Sequence, residues 1–71
     1  MEKLTVELAK GFIKGIVSVS EDDAKAHIGE DELRDWFVKC VAAGMYDMTE
    51  AVQVASIVIT TKDIVFSRWY E

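Results

Sequence analysis

The fold is decided by residues 30–44, which read EDELRDWFVKCVAAG. The apolar side chains of this stretch recur at spacings of three and four, at Leu33, Trp36, Phe37, Cys40 and Val41. That spacing places them along one side of an α-helix, with charged residues on the other side. Three acids open the stretch, where the helix dipole favours negative charge, and Gly44 is a typical helix-ending residue. The sequence therefore predicts a helix over residues 30–43.

A shorter helix is predicted immediately before this one, over residues 21–28. Ser20 is a candidate N-cap, because a serine hydroxyl can accept a hydrogen bond from a backbone N–H of the first turn. The acids that follow it suit the positive end of the helix dipole. Gly29 is the expected stop, since glycine commonly follows the last residues of a helix.

The N-terminal segment, residues 3–19, is also predicted to be helical. Gly11 and Gly15 weaken the pattern, since each glycine costs about 1 kcal/mol relative to alanine inside a helix. We interpret their GxxxG spacing as a mark of close backbone packing, because they form no glycine-rich phosphate loop. The polar residues that recur at spacings of three and four are Lys3, Glu7, Lys10, Lys14, Ser18 and Glu21.

A long helix is predicted over residues 48–70. Asp47 and Glu50 have the spacing of a capping box, in which a side chain pairs with the backbone N–H three residues further on. A second cap-like run, residues 60–63, predicts a kink near residue 60. The polar residues of this segment again recur at spacings of three and four, at Thr49, Gln53, Ser56, Thr60, Asp63, Ser67 and Glu71.

The composition keeps one alternative fold open. Valine and isoleucine together number 15 and leucine only 3, and β-branched residues suit strands better than helices. An α+β arrangement, ββ-α-ββ with a hairpin at each end of the chain, would accommodate them. The helical spacings carry more weight, because periodicity is the primary signal of secondary structure. We therefore predict an all-α single domain, residues 1–71, of three to four helices that assemble as an oligomeric helical bundle.

The net charge of −5 is confined to residues 21–35. This window holds seven acids against Lys25 and Arg34, while the rest of the chain is neutral. A concentrated negative surface steers basic partners and speeds their association. The alternative is that the acids begin two helices, where the dipole favours them. The residues predicted to bind a basic protein partner are Glu21, Asp22, Asp23, Glu30, Asp31, Glu32 and Asp35.

Few residues could carry chemistry, and we expect neither an enzyme nor a bound metal or cofactor. His27 is the only histidine and Cys40 the only cysteine. We expect His27 near a helix end and Cys40 as a small buried apolar side chain. A small enzyme that uses this thiol and this imidazole is the lesser alternative. The sequence contains no zinc-site spacing and no EF-hand loop.

Direct nucleic-acid binding is not expected, although the helices on either side of Gly44 have the spacing of a helix-turn-helix. Residues 48–61 stand where the recognition helix would be, and they contain neither lysine nor arginine. DNA affinity depends on cationic contacts to phosphates, and base readout depends on long polar side chains, of which Gln53 is the only candidate.

The apolar content, 51% of 71 residues, is high for so short a chain. A domain of this size buries only about 60–65% of the surface that its unfolded chain exposes. We therefore expect a second copy to cover part of the apolar surface, in a homodimer. A structural subunit whose only role is assembly is the alternative function. Aromatic residues are enriched at interfaces, and the residues predicted to mediate self-association are Ile57, Ile64, Trp69 and Tyr70.

The sequence predicts a soluble, cytoplasmic protein. A single cysteine cannot form an intramolecular disulfide, whereas small secreted domains usually contain several. The longest apolar stretch, residues 51–59, is shorter than the roughly 20 residues that span a bilayer, and we find no signal-peptide pattern. We therefore expect no membrane association.

Overall fold

The computed structural model describes residues 2–64, which form three α-helices and a short 3₁₀ segment. Helix α1 spans Val6–Ser18, α2 spans Asp23–Ala42 and α3 spans Met48–Val58, and the 3₁₀ segment covers Ile59–Asp63. No strand occurs within residues 2–64. The all-α prediction is confirmed over this range, and the arrangement with terminal hairpins is wrong.

Helix α1 begins three residues later than the sequence predicts. The Oγ1 atom of Thr5 accepts a hydrogen bond from the backbone N–H of Leu8 at 3.2 Å, so Thr5 is the N-cap. The residues before it lie against α2 instead of continuing the helix, and Leu4 is completely buried there. The start of α1 is therefore set by its cap and by the burial of Leu4.

Helix α2 corrects the prediction of two helices over residues 21–28 and 30–43. The chain runs through Gly29 as one helix of 20 residues, and its N-cap is Asp22 and not Ser20. Gly29 is needed for packing, since a Cβ atom there would be 2.9 Å from Cγ1 of Ile16 on α1. A glycine in this position lets the two helices approach closely.

Gly44 ends α2 as predicted. Its backbone has φ +69°, the left-handed conformation that glycine adopts without strain. The N–H of Gly44 donates to the carbonyl of Val41 at 3.0 Å, and the N–H of Met45 donates to the carbonyl of Cys40 at 3.1 Å. This pair of hydrogen bonds is a Schellman motif, which satisfies carbonyls that the helix end leaves unpaired.

Helix α3 begins at the predicted cap and ends before the predicted residue. The N–H of Glu50 donates to Oδ1 of Asp47 at 2.7 Å, which confirms the N-cap. The α-helix stops at Val58, and the backbone tightens into the 3₁₀ segment close to the predicted kink. The last part of the predicted helix, residues 65–70, lies outside the described residues.

Each of the three helices contacts the other two around one core. Two aromatic pairs flank the core. The rings of Phe12 and Trp36 meet edge to face with their centroids 6.2 Å apart, and the rings of Phe37 and Tyr46 stack with their centroids 5.8 Å apart. Within residues 2–64, no helix combines the length and the apolar character needed to cross a membrane. The buried apolar residues are Leu4, Ala9, Ile16, Ala26, Leu33, Cys40, Val54 and Val58.

Gly11 and Gly15 are not packing sites, which corrects the interpretation of their GxxxG spacing. A Cβ atom built on either residue would have no neighbour within 4 Å. Both glycines lie on the exposed side of α1. Within the chain, the close helix approach uses Gly29 and neither glycine of the GxxxG pattern.

Candidate partner-binding surface

The seven acids predicted to bind a partner fall into two groups at the surface, in which Asp23 alone is half-buried, and one buried residue. Glu21, Asp22 and Asp23 lie at the start of α2, where the carboxylate of Asp22 caps the helix. Asp31, Glu32 and Asp35 lie in the middle of α2, and all three are exposed. We call these three residues the acidic strip. At about 1.5 Å per residue, the strip begins about 12 Å along the helix from Asp23.

Glu30 does not belong to the exposed surface. Only 1% of its area is accessible, and its Oε2 atom is 3.9 Å from Nη2 of Arg34, one turn further along α2. The same Nη2 atom is 3.4 Å from Oγ1 of the buried Thr61. Buried charges in proteins are normally paired and hydrogen-bonded. Glu30 therefore belongs to the packing between α2 and the 3₁₀ segment, which the surface prediction missed.

Because α2 is one continuous helix, the acidic strip does not lie at the start of a helix. Acids at a helix start are favoured by the dipole, and that effect falls off within the first turn. It accounts for Asp22 and Asp23, which begin α2. No helix begins at residue 30, so the dipole does not account for Asp31, Glu32 and Asp35.

Two acids of the strip contact a side chain one turn away along α2, and the pair of Asp35 with Lys39 is an ion pair. The Oδ2 atom of Asp31 is 3.2 Å from Nε2 of His27, and Oδ2 of Asp35 is 2.9 Å from Nζ of Lys39. The hydrogen bond from Lys39 to Asp35, and then their Coulomb attraction, raise the pKa of the lysine. Because an exposed ion pair such as that of Asp35 and Lys39 contributes little to stability, a basic group of a partner can replace the lysine.

An apolar groove adjoins the acidic strip. It lies between α2 on one side and α3 with the 3₁₀ segment on the other, and it encloses about 510 Å³. We call it the α2–α3 groove. Arg34 and Val38 also border a shallow depression of about 500 Å³ that contains the acidic strip. The residues that line the groove are Arg34, Phe37, Val38, Ala55, Val58, Ile59 and Lys62.

The residues predicted to mediate self-association are not the exposed apolar ones. Ile57 and Ile64 are partly buried and pack against the core, while Trp69 and Tyr70 lie outside the described residues. The exposed apolar residues that line the α2–α3 groove are Val38 and Ile59, and Val41 and Met48 are exposed on the same two helices.

His27 and Cys40 cannot act together within one chain. They lie 13 positions apart on the same straight helix, which separates them by about 20 Å. Cys40 is buried, as predicted. Its Sγ atom is 3.5 Å from the N–H of Leu4 and 3.7 Å from the carbonyl oxygen of Glu2. Among residues 2–64, no group of three or more histidine, cysteine and acidic side chains is placed to hold a metal ion.

Side chains of α2 and the following loop hold the N-terminal residues in place. Nε1 of Trp36 donates to the carbonyl of Glu2 at 2.7 Å, and the hydroxyl of Tyr46 donates to the carbonyl of Leu4 at 2.6 Å. Lys3 forms an ion pair with Glu50 and lies over the ring of Tyr46. Burial, and then the neighbouring Cys40 thiol, raise the pKa of the Tyr46 phenol. This side of α2 is therefore covered, and the acidic strip and the groove occupy the uncovered side.

No protein family, no curated protein and no solved structure matches this chain.

Proposed function

We propose that this chain is a small non-enzymatic interaction protein of the cytoplasm that binds a basic protein partner through the acidic strip of α2. One observation carries the proposal: Asp31, Glu32 and Asp35 are exposed in the middle of a continuous helix. Neither capping nor the helix dipole explains three acids at that position. A role in binding does explain them.

The electrostatics of the chain support this function. Like charges placed close together on a surface repel one another, and complementary charge on a partner relieves that repulsion. A compact negative surface also raises the rate at which basic partners associate. Outside residues 21–35 the chain is electrically neutral, so a basic partner is attracted to this stretch and not to the protein as a whole.

Charge reversal with a matched control tests the proposal. The variant Asp31→Lys, Glu32→Lys reverses two exposed acids of the strip. The control Glu2→Lys, Glu7→Lys reverses two exposed acids elsewhere and changes the net charge equally. Each protein is used to capture partners from the native host. We expect a basic protein to be captured by the parent chain and the control and not by the strip variant; equal capture by all three would refute the proposal.

A second candidate function is that of an assembly subunit, a homodimer in a helical bundle. The specific observation that favours it is the exposure of large apolar side chains, among them Val38 and Ile59. Exposed apolar patches commonly mark interfaces. Sedimentation of the parent chain would give a dimer, and Val38→Asn with Ile59→Asn would give a monomer. A monomeric parent chain at micromolar concentration would exclude this candidate.

A further inference from the structure

We infer that the α2–α3 groove is the docking site for an amphipathic helix of the basic partner, with the basic side of that helix against the acidic strip. The inference rests on the proposed function and adds the structural element by which the partner is recognised. It names the chemistry of that element: an apolar stripe, flanking lysine or arginine side chains, and a defined direction along the groove.

The groove has the apolar lining of a helix-binding surface. Phe37, Ala55 and Val58 form its floor, and Val38 and Ile59 stand on its two walls with 60% and 55% of their areas exposed. An amphipathic helix buries its apolar stripe in such a groove through residues spaced three and four apart. The partner would thereby complete a four-helix arrangement.

The apolar surface extends beyond the residues that line the groove. Residues three and four apart lie on the same side of a helix, so Val41 continues the wall that Val38 begins. Met48, seven residues before Ala55, continues the opposite wall, and both residues added here are exposed. Along α3 the surface is about 15 Å long, which about ten residues of a bound helix would cover.

Charge complementarity identifies the partner helix as basic on one side. The acidic strip borders the outer edge of the α2 wall, because Arg34 and Val38 line both the groove and the depression that contains the strip. A helix seated in the groove therefore has one flank beside Asp31 and Asp35. Lysine or arginine side chains on that flank would replace His27 and Lys39 as the partners of these carboxylates.

Two cations give the partner helix a direction. Arg34 and Lys62 stand on opposite walls at the same end of the groove. The last carbonyls of a helix carry a partial negative charge and lack intrahelical donors. Arg34 is held in place by its contacts to Glu30 and Thr61. The partner helix is therefore expected to place its C-terminus at the end marked by these two cations.

A second copy of the chain is a less suitable occupant. In a twofold dimer the same surface faces itself, so the acidic strips of the two copies would lie near each other. The repulsion between the strips disfavours the twofold arrangement. A basic helix from another protein avoids it.

The experiment uses the full chain and synthetic peptides of about 14 residues, or about four helical turns. The probe peptide has a leucine stripe flanked by lysines. One comparison peptide replaces the lysines with glutamates, and another has the same composition in an order that breaks the stripe. Affinities are measured by fluorescence anisotropy of labelled peptides. We expect the probe to bind at least about tenfold more tightly than either comparison peptide.

Protein variants locate the binding site. Val38→Asn with Ile59→Asn removes two anchors of the groove, while Leu8→Asn with Val17→Asn changes two exposed apolar residues of α1 as a control. We expect the groove variant to weaken probe binding at least about tenfold and the control to leave it unchanged. A probe with a free C-terminal carboxylate should bind more tightly than its amide, and Lys62→Gln should remove that difference.

The outcomes separate the inference from the proposed function. If the groove variant binds the probe as well as the parent chain does, the inference is overturned. Charge reversal of the strip would still decide the proposed function by its effect on capture. If the groove variant changes a dimer into a monomer and leaves peptide affinity unaltered, the groove holds a second copy, and the inference is again overturned.

Discussion

Gly29 of α2 lies against Ile16 of α1 so closely that a Cβ atom on the glycine would be 2.9 Å from Cγ1 of the isoleucine. This contact explains why a glycine stands inside a helix, where it costs about 1 kcal/mol relative to alanine. Because α2 continues through Gly29, the three acids that follow lie in the middle of a helix. The proposed function depends on that position.

Gly29→Ala should destabilise the protein despite the higher helix propensity of alanine. Overpacking costs about 1–3 kcal/mol, and the higher helix propensity of alanine contributes about 1 kcal/mol of stability. We therefore expect the free energy of unfolding to fall by about 1 kcal/mol. Urea denaturation measures it. In an Ile16→Ala background the contact is absent, and the same substitution should stabilise the chain. A gain of stability from Gly29→Ala alone would show that the helices do not approach in this way.

Gly11→Ala and Gly15→Ala should each stabilise the protein. Neither new methyl group would meet a neighbour within 4 Å, so the helix gains propensity without a steric cost. We expect about 0.5–1 kcal/mol from each substitution, visible as a higher urea midpoint with an unchanged slope. Loss of stability at either position would mean that this side of α1 is packed against another surface.

Glu30 and Glu32 are two positions apart, and truncation should reduce stability far more at Glu30 than at Glu32. Glu30 is buried beside Arg34, whereas Glu32 is exposed on the acidic strip. We expect Glu30→Ala to cost about 1–3 kcal/mol of stability, because it removes a buried carboxyl group and leaves Arg34 without that partner. Glu32→Ala should stay within about 0.5 kcal/mol. Thermal unfolding of both variants checks the contrast; equal effects would place Glu30 at the surface.

Tyr46 makes stability depend on alkaline pH. Its phenol is neutral in the fold and has a raised pKa, so the unfolded chain loses this proton first as the pH rises above the ordinary value near 10. The stabilisation is complete below that pH and declines above it. Tyr46→Phe should remove this part of the decline, and should lower stability at neutral pH by about 1 kcal/mol because the carbonyl of Leu4 loses its donor.

Urea denaturation of the parent chain and Tyr46→Phe at neutral and alkaline pH tests this dependence, and the difference between the two proteins cancels the contribution of the one other tyrosine, Tyr70. An identical decline in both proteins would contradict a raised pKa of the Tyr46 phenol.

The sequence predicts those parts of the fold that depend on residues close together along the chain. The cap at Asp47 and the helix end at Gly44 follow from local hydrogen bonding and backbone conformation, and both were predicted. The role of Gly29 depends on Ile16, a residue of another helix. From the sequence alone, a glycine after a short helical stretch predicts the end of the helix. No local pattern distinguishes these two uses.

The sequence likewise predicts only part of the candidate surface. The concentration of acids is visible in the sequence, but the burial of Glu30 depends on the packing of α2 against the 3₁₀ segment. The exposure of Val41 is likewise a property of the packed helices, since it follows Phe37 by four residues on the predicted apolar side of the helix. Charge is a local property of the sequence, and burial is not.

Binding of a basic partner by the acidic strip is best measured as the dissociation constant with the purified captured protein. We expect Asp31→Lys with Glu32→Lys to weaken binding at least about tenfold, and Glu2→Lys with Glu7→Lys to change it by less than about threefold. Equal weakening by the two variants would show that only net charge matters and would contradict binding through the acidic strip.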